Sequence, residues 1–246
     1  MTEFPTLIAV AHGTRSPAGR RQIQELAATV ARRRPGLDVR LCYVDVQEPK
    51  VADIVPTVGD AVVVPLLLSA GYHVRVDIAE AVAGTRFPVT APLGPDPVFL
   101  ESLRRNLPAT DAIVLASAGS SDPRWVAGIQ EVAAQLSGPR GDLRYPLGNG
   151  VRGDLEHPLG NGPRVELGYT SGSGPRVADV VARLRAEGAR TVAVAAYLLA
   201  EGLFYRTLHA AGADHVTPPL CHDAAVADLV LRRFDSAILT TVGSGL

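Results

Sequence analysis

The sequence predicts an α/β fold of two tandem halves, each a parallel sheet flanked by helices, related by internal duplication. Three observations carry this. Short β-branched runs alternate with segments of helical period along most of the chain, the pattern of strands joined by helical crossovers. Four segments recur in the same order: LIAVAHGTRSP (7–17) over IVLASAGSSDP (113–123), EPKVADIV (48–55) over GPRVADVV (174–181), LLSAGYHVR (67–75) over LLAEGLFYR (198–206), and VTAPLGPDP (89–97) over VTPPLCHDA (216–224). Finally, 246 residues with 47% hydrophobic content accommodate two domains with cores. The division falls at 1–108 and 109–246.

Residues 6–11 read as a buried parallel strand. Ser16 caps a helix with Pro17 at its first position, and Ile23, Leu26, Ala27 and Val30 share its apolar face. Residues 38–43 alternate like a strand. Pro49 opens a second helix with Val51, Ile54, Val55 and Val58 on one side. The run 61–67 is the most apolar and is expected at the sheet centre. Residues 74–83 read as helix, 88–91 as a short strand and 97–106 as helix. The second half repeats the series. It has strands at 112–116, 165–169, 191–197 and 215–217. Its helices carry Trp125, Ile129, Val132, Ala133 and Leu136, then Val177, Val180, Val181 and Leu184, then residues 204–211 and 224–234.

One stretch fits neither copy. PLGNGVR (146–152) returns as PLGNGPR (158–164), rich in Gly, Pro and Asn and without a core face. It reads as a surface insertion spanning about 141–164 in the first crossover of the second half, with His157 exposed within it. A lid over the cleft is the sharper alternative.

Composition excludes several classes. A net charge of −1 gives no field for nucleic acid or an anionic membrane. No apolar run approaches the ~20 residues of a membrane span. Cys42 and Cys221 form no C-x-x-C pair, so a cysteine-held zinc or iron–sulfur centre is not expected, and both read as small hydrophobes of a reduced cytoplasmic protein. Neither a G-x-G-x-x-G after the first strand nor a G-x-x-x-x-G-K-[ST] occurs, which disfavours dinucleotide and P-loop nucleotide binding. The AHGTR segment lacks the arginine that precedes the nucleophile of histidine phosphatases; Ala11 stands there.

The remaining chemistry collects at one place. His12 ends the first strand and His73 follows the third, while the second copy has Ala118 and Phe204 in their positions. With strand order 2-1-3-4 these two strands are neighbours, and ligands gather at strand carboxyl ends where the order reverses. Two neutral imidazoles suit iron, cobalt, nickel or zinc. Asp45 and Glu48 follow the second strand, and Asp77 lies four residues beyond His73. These carboxylates are candidates for accepting protons or orienting an imidazole; the plainer alternative is that Asp45 and Glu48 cap the second helix. Arg15, Arg20, Lys50, Arg75 and Arg206 lie near the loops around this edge and suit a polyanionic substrate.

The segments AHGTRSPAG (11–19), VDVQEP (44–49) and VPLLLSAGYHVRVDI (64–78) resemble the sirohydrochlorin chelatases of the cobalt- and ferrochelatase family. The resemblance extends over essentially the whole chain. It implies two chelatase-like domains around a cleft and metal insertion into sirohydrochlorin on the route to sirohaem or cobalamin. No organic cofactor is implied, since Fe2+ or Co2+ is a substrate. It also implies that His12 and His73 are the metal-binding and catalytic pair, with Glu48 and Asp45 as acidic partners. Leu203, Phe204 and Tyr205 would offer the macrocycle an apolar wall, and the rim arginines would meet its carboxylates. A cytoplasmic monomer is expected. The insertion at 146–164 departs from the family pattern.

Overall fold

The computed structural model describes residues 4–69, 71–119, 122–137, 163–172 and 174–243, with the backbone alone at 72–74, 124 and 241–243. The insertion expected at 141–164, His157 included, lies outside the described residues except for Pro163 and Arg164.

In the first half, β1 (Thr6–Ala11), β2 (Val39–Tyr43) and β3 (Ala61–Pro65) form a parallel sheet in the order β2-β1-β3. Its helices are α1 (Pro17–Arg33), α2 (Val51–Ile54), α3 (Tyr72–Ala81) and α4 (Pro97–Asn106). In the second half, β4 (Ala112–Ser117), β5 (Arg164–Tyr169), β6 (Val192–Tyr197) and β7 (His215–Val216) are parallel in the order β5-β4-β6-β7. This half carries α5 (Pro123–Ser137), α6 (Val177–Ala186), α7 (Leu203–His209) and α8 (Ala225–Gly243). The two halves follow one plan, as the repeated segments require.

The likeness extends to single hydrogen bonds. The Tyr43 amide donates to the Pro49 carbonyl at 3.0 Å, and the Tyr169 amide to Pro175 at 2.8 Å. Likewise the Val44 amide bonds the Ala11 carbonyl and the Thr170 amide the Ser117 carbonyl, each at 3.0 Å.

Helix α1 starts as expected. Ser16 Oγ accepts from the Gly19 amide, Pro17 takes the first position, and Ile23, Leu26, Ala27 and Val30 are buried. Three expectations are corrected. The second helix begins at Val51, after Lys50, and passes into a 3-10 turn at Val55–Thr57. Strand β3 is not central: β1 is, and among the described residues only the Val63–Val89 bridge lies beyond β3. The apolar character of β3 comes from burial on both faces instead. Val62 and Val64 join a core with α8, and Val63 joins one with α2 and α3. Finally, α8 runs past Phe234, because Ala237 and Ile238 continue the apolar stripe at i+3 and i+4.

The closing helices cross over. Helix α8, from the second half, packs on α1 and β3 of the first, while α4 of the first half packs on α5 and β6 of the second. One core therefore holds residues of both sheets, with Phe99 of α4 and Phe234 of α8 fully buried in it. The ring of Phe99 meets Tyr197 of β6 edge-on at 6.0 Å.

Candidate active site at the edge of the first sheet

His12 directly follows Ala11, the last residue of β1, and its side chain is exposed. His73 lies in the first turn of α3, which starts two residues earlier than its periodicity suggested. Since β1 and β3 are parallel neighbours, the chain leaves both strands at the same sheet edge. That edge is where this topology collects ligands. The His73 side chain lies outside the described residues. Among the described residues no three of His, Cys, Asp or Glu converge as a metal site.

The turn after His12 is tied to the loop after β2. The Asp45 amide donates to the His12 carbonyl at 2.9 Å, and the Thr14 amide to Gln47 Oε1 at 2.8 Å. Gly13 has φ +98°, and a Cβ there would lie 2.0 Å from the Asp45 carbonyl oxygen. Val46 also has positive φ, 65°, a costly conformation for a β-branched residue. Asp45 Oδ1 accepts from the Val46 amide at 2.7 Å and so holds this turn. Neither Asp45 nor Glu48 caps α2; Asp53 does, accepting from the Lys50 amide at 2.8 Å. Glu48 is the freer carboxylate, its side chain 72% exposed and 4.0 Å from Lys50 Nζ.

The second copy keeps this stitching without its chemistry. A Cβ on Gly119 would lie 2.1 Å from the Ser171 carbonyl, the counterpart of the Gly13–Asp45 approach. Ala118 and Ser171 stand where the first half has His12 and Asp45.

The second half borders the site. A Cβ on Gly202 would lie 3.5 Å from Thr14 Oγ1, which sets the start of α7 beside the His12 turn. Leu203 and Phe204 follow, exposed by 66% and 40% despite their size. Tyr205 does not join them: it is buried and donates its hydroxyl to the Thr217 carbonyl at 3.1 Å. Helical geometry turns it 100° from Phe204 and into the core. Across the other side, Arg75 lies 3.7 Å from Asp122 at the start of α5. Arg15 and Arg206 are exposed, Asp77 is exposed on α3, and Arg20 Nε donates to the Thr14 carbonyl at 2.9 Å.

The other histidines among the described residues have partners. His215 Nε2 bonds the Asn106 carbonyl at 3.0 Å, His209 packs edge-on against Tyr205, and His222 contacts Gln22. Burial pushes the thiols of Cys42 and Cys221 up to about 12, which keeps them protonated at neutral pH. Cys221 is only partly buried and lines a hollow of about 430 Å³ between α1 and α8, with His222 and Arg21. That hollow does not reach His12.

Sequence reasoning missed Gly13, Val46 and Gln47 as organisers of the site. Their signal was present in AHGTR and VDVQEP, where a glycine follows His12 and an amide lies between Asp45 and Glu48. Gln22 had no such signal, because its partners lie in the other half.

Fold and repeat together define a class: duplicated α/β proteins with a parallel sheet in each half, the first copy carrying His12 and His73 where the second has Ala118 and Phe204. The CbiX family model matches residues 6–110 and again 112–237, and the chain belongs to that family. A sirohydrochlorin cobaltochelatase of Methanococcoides burtonii is 32% identical over 85 residues, 32% of this chain and 65% of that protein. The chain thus matches just under two thirds of that relative's length. SirB from Bacillus subtilis with Fe3+ superposes with a TM-score of 0.67 at 19% identity, covering 97% of each chain. The sirohydrochlorin chelatase SirB of Bacillus subtilis subspecies spizizenii, in complex with cobalt, gives 0.68 at 18% identity, again covering 97% of each. DR2241 from Deinococcus radiodurans, a multi-domain protein with structural similarity to chelatases, gives 0.60 at 20% identity over 94% of this chain and 55% of that one. These structures establish the fold.

Proposed function

We propose that the protein is a sirohydrochlorin chelatase that inserts Fe2+ into the macrocycle during sirohaem formation, its two halves dividing at 108/109. The observation that supports this is that β1 and β3, the strands preceding His12 and His73, are parallel neighbours leaving the sheet at one edge, with Gly202, just before the exposed Leu203 and Phe204, against Thr14. Insertion exchanges one M2+ for two pyrrole N–H protons. His12 and His73, as neutral imidazoles, hold the metal and pass it to the pyrrole nitrogens. An imidazole freed in this way accepts a proton, and Glu48, the more exposed carboxylate, relays it to solvent with Asp45 beside it. Leu203 and Phe204 bear on the macrocycle face. Arg15, Arg75 and Arg206 meet its carboxylates, Arg75 exchanging Asp122 for substrate. One chain supplies both walls, so a cytoplasmic monomer suffices. No nucleic-acid or membrane partner is needed, and among the described residues no helix is long and apolar enough to cross a membrane.

Cobalt is the second reading, because the curated relative is named a cobaltochelatase. The deciding experiment incubates the protein anaerobically with sirohydrochlorin and Fe2+ or Co2+ and follows absorbance. The faster metal over its uncatalysed control identifies the substrate. A rate equal to the control for both metals, with tetrapyrrole binding retained, identifies a carrier instead. His12→Ala and His73→Ala should each lower the rate by about 100-fold or more, with His12→Ala leaving Tm unchanged because its side chain is exposed.

A further inference from the structure

Gln22 of α1 makes three contacts across the boundary between the halves. Its Oε1 accepts from the Glu201 amide at 2.7 Å, its Nε2 donates to Glu201 Oε1 at 2.9 Å, and Nε2 also lies 3.1 Å from His222 Nε2. The Glu201 amide can only donate, which fixes the orientation of the Gln22 carboxamide. His222 Nε2 must therefore accept, and its ring carries its proton on Nδ1.

Two further contacts bind the same loop. A Cβ on Gly19 would lie 1.9 Å from the Glu201 carbonyl oxygen, and Gly202 abuts Thr14. Residues 14, 19 and 22 thus grip residues 201–202 from one side. Thr14 lies two residues past His12; Gly202 immediately precedes Leu203 and Phe204. The repeat places Glu201 over Ala70 and Gly202 over Gly71, so the gripped loop is the counterpart of the one leading into His73.

We propose that Gln22 is a positioning residue that, through Glu201, sets the Leu203–Phe204 wall relative to His12 and thereby the seat of the macrocycle. The inference rests on the chelatase reading. On this assignment Gln22 acts through Glu201, so its loss should weaken tetrapyrrole binding and spare metal binding.

The test uses the full chain and two variants. Gln22→Met keeps the side-chain length and removes all three polar contacts. The double variant Gln22→Glu with Glu201→Gln exchanges the amide and carboxylate; the Nε2–H tautomer of His222 then donates to the carboxylate now at position 22, restoring every bond. Sirohydrochlorin affinity is measured without metal by absorbance titration, and Co2+ affinity without tetrapyrrole. For Gln22→Met the expected result is a rise of about tenfold in tetrapyrrole Kd and KM, with Co2+ affinity as in wild type. The double variant should return Kd and KM to within about twofold of wild type. Wild-type tetrapyrrole affinity in Gln22→Met, a parallel loss of Co2+ affinity, or no recovery in the double variant would overturn the assignment. Tetrapyrrole binding by the wild type without metallation defeats the chelatase reading alone and leaves the positioning role measurable by Kd.

Discussion

Gly13 adopts φ +98°, and its α-carbon sits against the Asp45 carbonyl, where a Cβ would be 2.0 Å away. A residue with a side chain there meets two obstacles, a left-handed backbone and fixed backbone atoms opposite. We expect Gly13→Ala to lower stability by about 1–3 kcal/mol in urea melts and to move Asp45 away from the His12 carbonyl, with loss of metallation. An active variant with an unchanged melt would show that the turn tolerates rearrangement. The two histidines stand out in the sequence itself, because each follows a strand and is absent from the duplicate copy. Tyr205 does not, since Leu203, Phe204 and Tyr205 are equally apolar in one dimension and only the helical turn separates exposed from buried.

At the scale of elements, strand β6 shows how local chemistry anchors a sheet. Asp111 accepts from the Arg190 and Thr191 amides at 2.8 and 2.9 Å, and Asp214 from the Val192 amide at 2.7 Å. These bonds hold both carboxyls below their ordinary range: the Thr191 amide leads for Asp111, and the Val192 amide, then Arg185, for Asp214. A depressed folded-state value means that the unfolded chain binds more protons in that window, so the contribution is complete above the unfolded value and lost as pH falls. Tm should hold from pH 7 to about 5 and drop below about 4. Asp111→Asn with Asp214→Asn should flatten that acid limb; an acid limb equal to wild type would assign the loss to other carboxylates. Element identity was readable because period and capping are local. The position of β3 was not, because burial by a helix from the other half imitates a central place in the sheet.

At the scale of the molecule, the exchange of α4 and α8 makes the halves interdependent. Their shared core should unfold as a unit, although each half has its own sheet. Fluorescence of Trp125, the single tryptophan and a residue of the second half, should report the same urea transition as far-UV circular dichroism. Phe234→Ala, fully buried in the shared core, should lower that single transition by about 3–5 kcal/mol. Two separated transitions would mean that the halves fold independently.

The sequence by itself determined the duplication, the α/β alternation, the strand and helix order, and the two histidines that the second copy lacks. Each is written in local period or in comparison of one copy with the other. Tertiary structure alone decided which helices cover which sheet, that Leu203 and Phe204 but not Tyr205 face outward, and that Gln22 grips Glu201 from 179 positions away. Those contacts depend on how two separately encoded surfaces meet, and neither surface carries a record of the other in its own periodicity.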